Sequence, residues 1–135
     1  MAPARPAHHP PRPHRVVVEA PRATAVETLA ERASRLGACT VERRRDGTAT
    51  LALEYREPAA ASFGQTSRLS SILSTVERWL RQQPVQGVTV WVDGRRFALA
   101  RRDAYGPGVA ANQALARERA TRARPDQAAA RTASS

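Results

Sequence analysis

The chain has 135 residues and a formal net charge of +10, with 22 basic residues, all of them arginine, against 12 acidic ones. This length leaves room for one domain of ordinary size. Its single cysteine, Cys39, excludes an internal disulfide and fits a reducing compartment. Because no apolar stretch approaches the ~20 residues of a membrane span and the N-terminus lacks an apolar signal segment, we expect a cytoplasmic protein without membrane contact.

The basic charge is concentrated at the two ends of the chain. Residues 1–15 carry three arginines and no acid, and residues 101–135 carry seven arginines against three acids. The first end is rich in proline and has no apolar run to bury, which is typical of disorder. We therefore predict a disordered tail at residues 1–14, an α+β domain at residues 15–102, and a disordered or transiently helical Ala/Arg tail at residues 103–135.

The domain begins with a predicted strand at Val16–Ala20, followed by a helix that runs to about Leu36. Thr24 and Glu27 have the spacing of a capping box, in which each side chain accepts from a free amide at the helix start. Gly37 follows the helix and is predicted to be its left-handed cap. The helix has an apolar face at helical spacing, formed by Val26, Leu29, Ala30, Ala33 and Leu36.

Residues 38–45 and 48–57 are predicted to form a hairpin. A two-residue turn would place the apolar residues of one arm on the polar face of the other. A three-residue loop that ends in a left-handed Gly47 aligns the two apolar faces instead. This register gives the pairs Val41–Leu51 and Cys39–Leu53, and it makes Cys39 a small core residue.

A second helix is predicted over residues 66–83, where Pro84 ends it. Its buried stripe consists of Leu69, Ile72, Leu73, Val76 and Leu80, and its serines, Ser67, Ser70, Ser71 and Ser74, are expected on a solvated face. The strands Val88–Val92 and Arg95–Ala100 then form a hairpin around a two-residue turn at Asp93–Gly94. This pairing places Trp91 opposite Arg96 on the outer face, close enough for a cation–π contact.

The element order predicts an α+β fold of the ferredoxin-like βαββαβ type, a two-layer sandwich with an extra C-terminal edge strand. Both helices would cover one sheet face and leave the other open. Residues 110–124 favour helix but contain only Leu115 as a large apolar side chain, so we expect a frayed helix there.

Trp79-Leu80-Arg81 at the end of a helix and Asp93-Gly94-Arg95 in a hairpin carry a resemblance to a known family. Through them, residues 64–99 resemble the small actinobacterial effector-associated constant components, which are accessory modules of bacterial conflict systems. The core outline is also similar to that of ligand-sensing ACT domains. The first resemblance implies an accessory role, and the second implies the sensing of a small ligand.

No catalytic, metal-binding or cofactor-binding motif is found. His8, His9 and His14 fall in the predicted tail, which offers no rigid frame for a metal ion or for proton transfer. We therefore expect a non-enzymatic binding or accessory module without a cofactor. It would self-associate as a homodimer or dock another protein through the open sheet face, where the candidate interaction residues are Val17, Arg44, Trp91 and Arg96.

Two other functions stay open from the sequence. The first is non-specific nucleic-acid binding by the arginine-rich tails, because phosphate neutralisation gives affinity without sequence preference. The candidate contacts are Arg117, Arg119, Arg122 and Arg124. The second is ligand sensing by an ACT-like domain.

Overall fold

A computed structural model describes residues 13–57, 67–105 and 108–123, without the side chains of residues 122 and 123. The elements are β1 (His14–Ala20), α1 (Val26–Ala33), β2 (Ala38–Arg43), β3 (Ala49–Tyr55), α2 (Arg68–Leu80), β4 (Gly87–Val92), β5 (Arg95–Ala100), a 3₁₀ turn (Arg101–Asp103) and α3 (Val109–Ala123). The predicted α+β class is confirmed. No helix within these ranges has the length and apolar character needed to cross a membrane.

The strands form one five-stranded sheet in the order β2-β3-β1-β4-β5, and every pair of neighbours is antiparallel. Inward-facing side chains of all five strands join the helices in a single apolar core. Helix α1 packs on β2, β3 and α2, whereas α3 packs on β5 and α2. Helix α2 therefore lies between the other two helices.

Both predicted hairpin registers are confirmed. Val41 pairs with Leu51 and Cys39 with Leu53, and Gly47 has the positive φ of 92° that the three-residue loop requires. In the second hairpin Trp91 pairs with Arg96. Asp93 and Gly94 both have positive φ, as this two-residue turn demands. Alternating apolar side chains and turn residues were sufficient to define these registers.

The start of α1 differs from the predicted capping box. Its N-cap is Ala25, without a side-chain cap, and the Thr24 hydroxyl donates to the carbonyl of Pro21 instead. Ala25 is held by side chains from the end of α2 and the residues after it. Its N–H donates to Gln83 Oε1 at 2.8 Å, and its carbonyl accepts from Trp79 Nε1 at 2.9 Å. The capping-box prediction is wrong because a contact distant in the sequence replaces the local one.

Gly37 has no positive φ, so the predicted left-handed cap is also wrong. Instead, a Cβ at this position would lie 2.3 Å from the backbone oxygen of Glu54. Glycine is required here because the chain entering β2 approaches β3 closely.

Helix α2 is shorter than predicted and is buried on two sides. Ser67 is its N-cap and accepts from the Ser70 amide, whereas Ser74, expected in solvent, is buried. Trp79 and Glu77 are both completely buried, and the sequence analysis placed neither in the core. The packing of α3 against α2 accounts for this second buried side.

Helix α3 has a buried face, contrary to the prediction of a frayed helix. Its buried residues are Ala111 and Leu115, and Ala110 and Ala114 pack against the core beside them. Leu115 is the only large apolar side chain of this segment. The small alanines at i, i+3 and i+4 spacing allow close helix packing and supply the missing face. The packed part of the chain thus continues beyond residue 102.

Candidate interaction surface

The sheet face opposite the helices, here called the open sheet face, consists of the outward residues of the five strands. Val16 and Val18 of β1 are fully buried, so Val17 between them points to the other side. The same alternation holds for β4, where Trp91 lies between buried Val90 and Val92. Within the described residues no helix covers this face, and Trp91 and Val17 are half-buried rather than enclosed.

The sequence-predicted residues Val17, Trp91 and Arg96 lie in one row that crosses the sheet. Strand by strand, the Cα partners in this row are Thr40, Ala52, Val17, Trp91 and Arg96. The guanidinium carbon of Arg96 lies 5.9 Å from the centroid of the Trp91 ring, which is a cation–π contact. The row therefore has an apolar middle of Ala52, Val17 and Trp91, with a polar residue at each end.

The fourth predicted residue, Arg44, lies outside this row. It follows the end of β2, and its guanidinium donates to the hydroxyls of Thr48 and Thr50. Because Thr50 points outward, Arg44 belongs to the open sheet face but sits closer to Glu19 than to Trp91 along the strands. The structure brings three of the four predicted residues together and places the fourth in a neighbouring row.

Two concavities mark this face. One, of about 320 Å³, is lined by Arg15, Val17, Glu19, Trp91 and Gly94. The other, of about 520 Å³, includes Glu19, Arg44, Thr89 and Ala98 in its lining. Glu19 lines both concavities, so the two are adjacent and lie beside β1.

The charges of the open sheet face balance. Its acidic members are Glu19, Glu42 and Glu54, and its basic members are Arg15, Arg44 and Arg96. The chain as a whole carries +10. The excess positive charge therefore lies elsewhere on the molecule.

One end of the sheet carries a polar corner on its helix side, where His14 and Tyr55 share the inward alternation of Val16 and Leu53, and the sequence patterns did not predict it. His14, which was assigned to the N-terminal tail, is the first residue of β1; its Nδ1 lies 2.9 Å from Asp93 Oδ2, and its ring stacks on Tyr55 at 5.2 Å. Asp93 also accepts from the Arg15 amide at 2.8 Å. Burial raises the pKa of Tyr55, with the nearby Asp93 charge acting in the same direction. The predicted strand Val16–Ala20 includes His14 if it begins two residues earlier, so the sequence pattern was close to finding this residue.

The groups with chemical reactivity are dispersed. Cys39 is half-buried, and burial raises the pKa of its thiol. The Arg43 guanidinium is hydrogen-bonded to Glu27 and lowers the pKa of that carboxyl group. Within the described ranges, no cluster of three or more histidine, cysteine, aspartate or glutamate side chains is placed to hold a metal ion. His8 and His9 lie outside those ranges.

The candidate nucleic-acid contacts are only partly described. Arg117 and Arg119 are exposed on α3. Arg122 belongs to the last turn of α3, and Arg124 lies outside the described residues. The two described arginines are therefore on a packed helix of the domain rather than on a tail.

No protein-family model, curated protein or solved structure matches this chain. The geometry alone defines the class to which it belongs, an α+β domain that exposes one face of an antiparallel sheet. The open sheet face, with its row through Trp91, is the candidate site.

Proposed function

We propose that this chain is a non-enzymatic binding module that self-associates through the open sheet face, with a second copy of the chain as its partner. The observation that carries this proposal is the apolar row through Ala52, Val17 and Trp91 on a face whose charges balance. Half-buried tryptophan is among the side chains that most often dominate the energy of an interface.

Charge favours a second copy as the partner. Two chains of net charge +10 repel each other through any basic surface. The open sheet face adds no further repulsion at the contact because its glutamates and arginines balance. A two-fold interface brings the same patch of each copy together, so a patch with both signs of charge can be complementary to itself.

The size of the face limits the affinity. Five strands spaced about 4.8 Å apart, each about six residues long, give a face of roughly 24 by 20 Å. Two such faces bury roughly 1,000 Å² in total, at the low end for specific interfaces. We therefore expect a reversible dimer with a dissociation constant in the micromolar range.

The finer fold assignment belongs to the same proposal. A ferredoxin-like core is supported by β1 lying between β3 and β4, with β2 at one edge and β5 added at the other. The resemblance of residues 64–99 to effector-associated constant components covers α2, β4 and β5 and supports an accessory role. A cytoplasmic setting, expected from the single free cysteine, completes the proposal.

Sedimentation of the full chain over the micromolar range tests the proposal. Trp91→Ala removes the largest side chain of the row, and Val17→Arg places a charge beside it while keeping Trp91. Both variants should shift the monomer–dimer equilibrium toward monomer. Truncating an interface hot spot such as Trp91 costs about 2 kcal/mol or more, a loss of roughly thirtyfold in affinity. Val17→Arg weakens the dimer because it buries an unpaired charge.

Tyr105→Ala is the matched control, since Tyr105 is an 81% exposed aromatic residue outside the sheet. It should dimerise like the native chain. Circular dichroism melts establish that the Trp91 and Val17 variants stay folded. A native chain that remains monomeric throughout, or variants that dimerise as well as it does, would overturn the proposal.

A further inference from the structure

The outer side of the helix layer carries a groove between α1 and α2. Its volume is about 720 Å³, and its lining includes Glu31, Arg32, Arg35, Thr75, Arg78 and Arg81. Arg32 and Arg35 come from the end of α1 and the residues after it, whereas Arg78 and Arg81 come from the end of α2. The fold thus brings together arginines more than forty positions apart in the sequence.

The groove carries an excess of positive charge. Four guanidinium groups face one carboxyl group, that of Glu31. The ion pairs found among the described residues are His14–Asp93 and Arg43–Glu27, and none of the groove arginines takes part in them. An arginine in the last turn of a helix interacts favourably with the helix dipole, and this explains why Arg32 and Arg78 each stand where they do. That preference does not explain why four arginines converge on one groove, where they repel each other.

The basic surface continues beyond the groove. A second concavity, of about 930 Å³, shares Arg81 and adds Arg101, Arg102 and Tyr105. Arg81 Nη1 donates to the carbonyl of Tyr105 at 3.3 Å, and Arg101 Nε donates to the carbonyl of Arg81 at 3.2 Å. These bonds fix the two concavities relative to each other. Tyr105 itself is 81% exposed, the most exposed large apolar side chain of the described residues.

We infer that this basic tract, from Arg32 to Tyr105, binds single-stranded nucleic acid. The guanidinium groups would contact the phosphates, and the Tyr105 ring would stack on a base. Guanidinium groups suit phosphate because their planar donors match its oxygens. Grooves that combine positive charge with an exposed aromatic ring are typical of single-strand binding without sequence preference. The inference does not depend on the proposed self-association, because the groove lies between α1 and α2 in the helix layer. The second concavity meets the open sheet face at Gln86 and Ala100, away from the row through Trp91.

Fluorescence anisotropy with the full chain and a labelled oligothymidylate tests this inference. The probe should be about 20 nucleotides long, which exceeds a single site of this kind. Titrations between about 50 and 200 mM NaCl give the slope of log K against log salt concentration, which is about −0.7 for each phosphate contact with a single strand. Arg32→Gln/Arg78→Gln should therefore reduce the magnitude of the slope by about 1.4. Arg35→Gln, outside both helices, should reduce it by about 0.7.

Arg119→Gln/Arg124→Gln removes the same charge from sites predicted by the sequence and is the matched control. It should leave the slope and the affinity nearly unchanged. Tyr105→Leu should weaken binding at least about fivefold, whereas Tyr105→Phe keeps the aromatic ring and should bind like the native chain.

Three results would overturn the inference. The first is loss of binding in the Arg119/Arg124 variant with native binding in the Arg32/Arg78 variant, which places the contacts on α3 and the C-terminal segment. The second is tighter binding of a DNA duplex than of the single strand. The third is equal competition by polyglutamate together with no effect of Tyr105→Leu, which identifies the ligand as an acidic protein surface.

Discussion

Replacing Glu77 by methionine tests how α3 is attached to the rest of the domain. Glu77 is completely buried, and its Oε1 accepts from the amide of Ala111 at 2.9 Å. Ala111 is the third residue of α3, where a helix has amides without an internal partner. Oε2 has no hydrogen-bond partner among the described residues. A side chain of α2 thus caps α3.

The expected free-energy change follows from the hydrogen bond between the Ala111 amide and Glu77. Methionine is close to glutamate in length and volume but offers no comparable acceptor, so the buried Ala111 amide loses its partner. An unsatisfied buried amide costs about 1–3 kcal/mol, which corresponds to an increase of roughly 5- to 150-fold in the population of states with α3 detached. Glu77→Gln retains an oxygen in the same place and should keep α3 docked. The difference between the two variants isolates the hydrogen bond, since both remove the carboxylate.

Limited trypsin digestion followed by mass spectrometry measures this detachment. Arg117 and Arg119 of α3 are cleavage sites, and their cleavage depends on local opening of the helix. When opening is fast relative to cleavage, the rate follows the population of the open state. Cleavage at these two sites should be faster in Glu77→Met than in Glu77→Gln. Equal rates in the two variants would refute the assignment of Glu77 as the cap of α3.

Two further substitutions test the packing of the sheet. Gly37→Ala should lower the free energy of unfolding in urea by about 3 kcal/mol, the upper end for overpacking, because backbone atoms of Glu54 cannot move aside. Gly94→Ala, whose Cβ meets nothing within 4 Å, should cost only about 1–2 kcal/mol from its positive φ. Burial raises the pKa of folded Tyr55, so native stability should fall above about pH 10, where only the unfolded tyrosine ionises, by up to about 1.4 kcal/mol per pH unit. Because burial also raises the pKa of the Cys39 thiol, which gives a slope of the same sign, the comparison is made in a Cys39→Ser background. There Tyr55→Phe should remove the slope, and a slope that persists would refute the assignment.

The strands and hairpins were predictable because their determinants are local. The pairing of Val41 with Leu51 follows from alternating side chains and from Gly47, all within one short stretch. A shift of one residue would expose the whole apolar face, so the correct register is strongly favoured. The row of Val17, Trp91 and Arg96 could be predicted for the same reason, since outward positions follow directly from inward ones.

The helix ends were not predictable because their partners are distant. Thr24 and Glu27 have the spacing of a capping box. Ala25, however, is hydrogen-bonded to Gln83 and Trp79, which are separated from it in the sequence by α1, β2 and β3. Glu27 is hydrogen-bonded to Arg43 instead. A local sequence pattern indicates only a preferred helix cap, and a tertiary contact of similar energy can take the place of that cap.

Helix α3 was misjudged because its buried face is made of alanines. Ala111 contributes little apolar area, and in an Ala/Arg-rich segment a stripe of alanine is indistinguishable from composition. What makes the stripe effective is the groove offered by α2 and β5, where small side chains permit close approach. The burial of Trp79, three positions after Val76 of the predicted stripe, could have been inferred from helical spacing.

The basic groove could not be predicted, and the reason concerns charge as well as distance. Arginine is spread along the whole chain, so Arg32 and Arg78 have no local feature that distinguishes them from the arginines of the ends. Only the packing of α1 on α2, fixed by the bonds of Trp79 and Gln83 to Ala25, brings them to one groove.

The uneven distribution of charge makes the two proposed surfaces separable by salt. The open sheet face is balanced in charge, so added salt screens little net attraction there, and it also reduces the general repulsion between copies of net charge +10. Self-association should therefore persist or strengthen between about 50 and 200 mM NaCl. Binding of a polyanion at Arg32, Arg35, Arg78 and Arg81 releases counterions and should weaken steeply over the same range. The two equilibria therefore respond differently to salt, and a single salt titration that follows both distinguishes a surface that binds a second copy from one that binds phosphate.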